Sequence, residues 1–122
     1  MICLAAGALV IALGVESFTL VWEHSVERTL WEEDFRLVDG HLAVIEARVK
    51  GSGAGMEPGH EATLSGGWWR YRPNLPPIDK LTLSNSATRP DWRLCLVDGC
   101  RPLSSRLGTA STDVIELRGC TN

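Results

Sequence analysis

Two Asp-Gly pairs in apolar surroundings, at Val38-Asp39-Gly40-His41 and Leu96-Val97-Asp98-Gly99, do most to limit what this chain can become. Such a pair between short apolar runs turns the backbone sharply and is a strong hairpin signal, so two antiparallel ribbons are expected. The remaining runs agree. Glu33 to Leu37 and Leu42 to Val49 flank the first turn, and Ser17 to Trp22 alternates with aromatic and β-branched residues. Trp68 to Tyr71, Lys80 to Leu83, Trp92 to Leu96 and Val114 to Leu117 are further short runs bounded by Gly, Pro, Asn or Ser. No stretch of roughly ten residues holds a helical period with caps. In the strand after the first turn, Leu42, Val44, Glu46 and Arg48 are expected on one face and Ala43, Ile45, Ala47 and Val49 on the other, the second face meeting the core.

The expected fold class is therefore all-β, a small antiparallel barrel or a two-sheet sandwich of about eight or nine short strands. With 122 residues and 44% hydrophobic content, residues 1–122 are read as a single β domain around one core. Arg72-Pro73-Asn74-Leu75-Pro76-Pro77 reads as a rigid extended crossover, since proline fixes φ and removes a donor. The opening run MICLAAGALVIALGV carries no charge, and no Lys or Arg precedes Arg28, unlike a secretory signal. It is also shorter than the ~20 residues that span a bilayer, so Leu9 to Leu13 followed by Gly14 is read as a buried strand ending in a turn.

Charge excludes one large class of partner. The net charge is -3 and the twelve basic residues are scattered among fifteen acids, so the concentrated basic surface that nucleic acid requires is missing. Cys3, Cys95, Cys100 and Cys120 form an even set in a small chain, which suits disulfides and an oxidising compartment. The Asp-Gly turn places Cys95 and Cys100 on one ribbon, leaving Cys3 with Cys120. Four reduced cysteines acting as small core residues are the alternative, and the connectivity stays open at this point.

Three constellations are candidates for a site. Trp22-Glu23-His24-Ser25-Val26-Glu27 with Trp31-Glu32-Glu33-Asp34 sets one imidazole among five carboxylates and two indoles. His24, Ser25, Glu27, Trp31 and Glu32 are taken as binding candidates. A hydrolase or metal-dependent enzyme centred on His24, Glu27 and Glu32 is the alternative reading, although no second His at ligand spacing and no Gly-x-Ser-x-Gly accompany them. The glycine run holding Gly51, Ser52, Gly53, Gly55 and Met56 can present successive N–H groups to a carboxylate, or can be a tight turn with Met56 tucked inward. Trp68, Trp69 and Arg70 lie in a run of aromatic and guanidinium groups of the kind that anchors interfaces, and in a strand the two indoles must face opposite ways. No catalytic residue, metal ligand or cofactor is assigned.

Taken together, Phe18 to Glu27 with its His-Ser-Val-Glu, Trp31-Glu32-Glu33, Lys50 to Pro58, Gly67-Trp68-Trp69, the Asn74 to Pro77 connector and the Cys95 to Cys100 hairpin resemble a bacterial domain of unknown function, DUF1850. The resemblance runs over nearly the whole chain. It implies an exported, periplasmic or otherwise extracytoplasmic protein with no enzymatic activity, encoded beside TRAP-type transporters whose receptor is of the TAXI class. The partner it implies is the receptor or the permease, with an organic acid as a further candidate ligand. Contact with the membrane is then expected only through a partner or through an upstream anchor of the kind family members usually bear. A purely structural module of the transporter is the remaining reading.

Overall fold

A computed structural model describes residues 1–23, 30–50, 62–84, 92–107 and 114–120. Eleven strands are described: β1 (Ile2–Ala6), β2 (Leu9–Ala12), β3 (Ser17–Glu23), β4 (Leu30–Val38), β5 (His41–Lys50), β6 (Thr63–Ser65), β7 (Trp68–Tyr71), β8 (Lys80–Ser84), β9 (Arg93–Leu96), β10 (Gly99–Pro102) and β11 (Val114–Gly119). A single helical turn, α1 (Leu103–Arg106), follows β10. The strands build two antiparallel sheets, of four strands in the order β2-β1-β11-β8 and of seven in the order β10-β9-β3-β4-β5-β7-β6. The all-β class is as expected. The architecture is the sandwich rather than the barrel, and the strand number exceeds the expected eight or nine.

The three additional strands have physical causes. The apolar opening run is a hairpin rather than one strand, because Gly7 turns the chain at φ 61° between β1 and β2. The expectation that Leu9 to Leu13 is buried is corrected here. β1 is buried along its whole length and sits between β2 and β11, whereas β2 lies at the sheet edge and is mostly exposed. β6 is a three-residue strand turned onto β7 by Gly66 and Gly67, both at positive φ. β10 pairs with β9 after the second Asp-Gly. There the apex is Val97-Asp98, and Gly99 takes φ 112° as the first residue of β10. The first Asp-Gly behaves as read, with Asp39 at φ 51° and Gly40 at φ 80° between Val38 and His41.

Face assignment in β5 also departs from simple alternation. Asp34 pairs with Glu46 but Phe35 pairs with Val44, so Ile45 is an extra residue, a β-bulge that reverses the parity. Leu42 before the bulge and Ala47 and Val49 after it are all buried, while Glu46 and Arg48 stand on the opposite face. The core lies between the sheets. Ile2, Leu4, Ile115, Leu117 and Leu83 of the smaller sheet meet Phe18, Leu20, Phe35, Leu42 and Leu94 of the larger, with Leu103 and Leu107 closing one side. Each fully buried Leu, Ile or Phe contributes about 1.5–3 kcal/mol of transfer free energy. Phe18 and Phe35 face each other across β3 and β4 with their rings stacked 5.1 Å apart.

Backbone bonds join the two layers at a corner. Leu42 and Ile78 exchange N–H to C=O bonds of 2.8 and 2.9 Å, tying the start of β5 to the residue two places before β8. The Arg72 to Pro77 connector that precedes this bridge carries neither helix nor strand and crosses, as expected, from β7 of the larger sheet towards β8 of the smaller. Cys3 is bonded to Cys120 and Cys95 to Cys100. Among the described residues no helix is long and apolar enough to cross a membrane.

Candidate functional site

Cross-strand register decides which side chains of the larger sheet share a face. Trp22 opposes Trp31, Trp31 opposes Val49, and Val49 opposes Trp69, so one row across β3, β4, β5 and β7 carries three indoles. Trp22 and Trp31 stack at 5.8 Å with nearly parallel planes, and Trp92, which precedes β9, packs on Trp22 at 5.5 Å. Trp68 lies one residue beyond Trp69 on the opposite face, paired with Lys50, whose ammonium stands 5.7 Å from the ring centroid. All five tryptophans of the chain thus collect at the end of the sheet where β3 finishes, β4 begins and β5 finishes. None is fully buried.

The next row on the same inner face runs Leu94, Leu20, Glu33, Ala47, Tyr71. Glu33 is the acid in this otherwise apolar and aromatic surface. Burial pushes its carboxyl above the ordinary glutamate range. Burial also raises the Tyr71 phenol, and the charge of Glu33 adds to that. One further polar atom sits in this region, the Trp31 indole Nε1, which is buried with no hydrogen-bond partner among the described residues.

The outer face is an ionic array centred on Arg48. Its Nη1 and Nη2 donate to the two oxygens of Asp34 at 2.7 and 2.9 Å, its Nε donates to Glu32 at 2.9 Å, and Nη1 also reaches Glu46 at 2.8 Å. Arg70 donates to Glu46 at 2.9 Å, and the Thr19 hydroxyl donates to Asp34 at 2.7 Å. Arg48 holds the carboxyls of Asp34 and Glu46 below their ordinary range. Beside this array, Ser17, Thr19, Asp34, Arg36, Ile45 and Cys95 line an open cleft of about 440 Å³ next to the Cys95–Cys100 bridge. The bidentate hold of Arg48 on Asp34, with Glu32 and Glu46 on its other donors, fills its guanidinium with carboxylates, and with Thr19 and Arg70 the array braces four strands, β3, β4, β5 and β7.

These positions separate residues that the sequence grouped together. Trp31 and Glu32 are adjacent in one sequence cluster but alternate along β4, so Trp31 joins the inner indole row and Glu32 the outer ion pairs. Trp68 and Trp69 face opposite ways, as alternation requires, and Arg70 shares the outer face with Trp68. His24, Ser25 and Glu27, and Gly51, Ser52, Gly53, Gly55 and Met56, lie outside the described residues. Among the described residues no group of three His, Cys, Asp or Glu side chains is arranged to hold a metal ion. Glu33, Trp22, Tyr71 and Trp92 are additions to the candidate surface. The signal for Glu33 was present in the alternation Trp31, Glu33, Phe35, Leu37, which places the acid on the apolar face.

A family model described as Domain of unknown function (DUF1850) matches residues 18–103. No curated protein and no solved structure matches the chain. The matched segment contains the seven-stranded sheet except for Ser17 at the start of β3, and β8 alone of the four-stranded one.

Proposed function

The chain belongs to the DUF1850 family of domains of unknown function, and starting from that membership we propose that it is a non-catalytic binding module, working in the periplasm as an accessory of a TRAP-type uptake system with a TAXI-class receptor. The observation that carries the binding reading is the gathering of all five tryptophans at one end of the sheet that the family match spans. Half-buried indoles supply large, rigid contact areas at low entropic cost and dominate the energetics of many interfaces. Two disulfides support an oxidising compartment. The partner in this reading is the receptor or the permease. Glu33, in the row beside the indoles, favours a partner that brings a hydrogen-bond donor or a cation to that surface.

The test is calorimetric titration of the purified protein against the receptor and the permease, for the parent chain and for Trp69→Ala. A truncated anchor costs about 2 kcal/mol or more, so Trp69→Ala is expected to bind about thirtyfold more weakly, and to melt below the parent while still folding, because the half-buried ring opposes the buried Val49. Parent affinity in a folded Trp69→Ala protein would remove the indole end as the docking surface. Absence of binding to both components would remove the transporter assignment.

A further inference from the structure

The two sheets leave four edges, formed by β2, β8, β6 and β10. Unpaired edge backbone is a template for another strand, and proteins usually block it with charge, proline or brevity. β8 opens on Lys80, β10 carries Arg101 and ends in Pro102, and β6 is three residues long. β2, Leu9-Val10-Ile11-Ala12, is as short as β10 but carries neither charge nor proline, and no charged side chain occurs from Ile2 to Val15. Leu9 is 37% and Val10 52% exposed.

The ladder fixes which backbone groups of β2 face outward. The Leu13 N–H donates to the Ile2 carbonyl at 2.9 Å, and Ile11 and Leu9 oppose Leu4 and Ala6. By antiparallel alternation the amides of Leu9 and Ile11 point to β1, and those of Val10 and Ala12 point away from it. No strand pairs with that side among the described residues.

We propose that β2 is a self-association edge, on which two copies of the chain pair their β2 strands antiparallel about a twofold axis at Ile11. In that register Val10 of one copy and Ala12 of the other exchange N–H and C=O bonds, Ile11 meets its own counterpart, and the two four-stranded sheets become one continuous sheet. A second copy suits this edge because twofold pairing sets a strand against itself. A charged strand would then meet like charge, and this one brings none. The edge lies outside residues 18–103, so the inference is independent of the indole surface.

Sedimentation velocity of the full chain over a concentration series, with melts of each variant, tests the idea. The parent is expected to shift from monomer to dimer. Val10→Pro should remain monomeric with an unchanged melt, since the N–H it deletes makes no bond within one copy, whereas Leu9→Pro deletes a bond to β1 and should melt lower. Should Val10→Pro fail to fold, Val10→Lys keeps the backbone and is expected to weaken association about tenfold or more. A parent that stays monomeric up to about 1 mM, or a folded Val10 variant that dimerises as tightly as the parent, overturns the proposal.

Discussion

Glu33 and Asp34 are neighbours on β4 with opposite surroundings, and their titrations pull stability in opposite directions. Asp34 is held low by Arg48, so its contribution is present above the ordinary aspartate value and is lost as pH falls through the lowered one. Glu33 is raised by burial. The unfolded chain therefore releases that proton first, and stability declines as pH climbs from the ordinary glutamate value of 4.5 through the raised one, then levels off. Glu33→Gln keeps the shape and removes the charge, so it is expected to be more stable than the parent at neutral pH by about 1 kcal/mol, the lower scale for an unpaired buried polar group. The gain should vanish below pH 4.5, where the parent carboxyl is protonated as well. Denaturant melts at several pH values would show it, and a pH-independent difference would mean that the ionised carboxyl is already satisfied.

At the scale of elements, the turns were legible and the pairings were not. Asp39-Gly40 needs only four residues to declare a hairpin, so β4 and β5 could be read directly. The bulge at Ile45 depends on how β5 meets β4, and nothing in the sequence of β5 alone marks it. The burial of β1 over β2 likewise follows from β11 arriving from the far end of the chain to flank β1, a contact that a uniformly apolar run cannot announce. The opposition of Trp68 and Trp69 was readable from alternation, while the meeting of Trp31 with Trp69 across Val49 required the register of three strands. Gly119 is another position explained only by the assembled layers. A β-carbon there would stand 2.7 Å from Leu37 Cδ1 and 3.0 Å from the Gly40 carbonyl oxygen, where the end of β11 passes the β4–β5 turn. Gly119→Ala is therefore expected to cost about 1–3 kcal/mol in a chemical melt, the usual range for overpacking. A cost near zero would show that the turn yields freely.

For the molecule as a whole, the two disulfides differ mainly in how much chain each one closes. Cys95–Cys100 spans a separation of 5 residues within one hairpin, whereas Cys3–Cys120 spans 117 and ties the first strand of the small sheet to the end of its last. The native geometry at the long bridge has support besides the sulfurs, since the Cys120 N–H donates to the Met1 carbonyl at 2.9 Å and β1 pairs with β11 over four positions. Removing that bridge should thus act chiefly on the unfolded chain, by restoring the entropy of a very long loop. Chain-entropy scaling gives about 5 kcal/mol for a loop of that length and about 2 kcal/mol for the short one. Since domains of this size are stable by only about 5–15 kcal/mol, Cys3→Ala/Cys120→Ala is expected to be marginal or unfolded, while Cys95→Ala/Cys100→Ala keeps a cooperative melt at a lower midpoint. Urea titration of both double variants beside the oxidised parent makes the comparison. Equal losses would contradict the loop-length argument and place the stabilisation in local contacts of the bridges themselves.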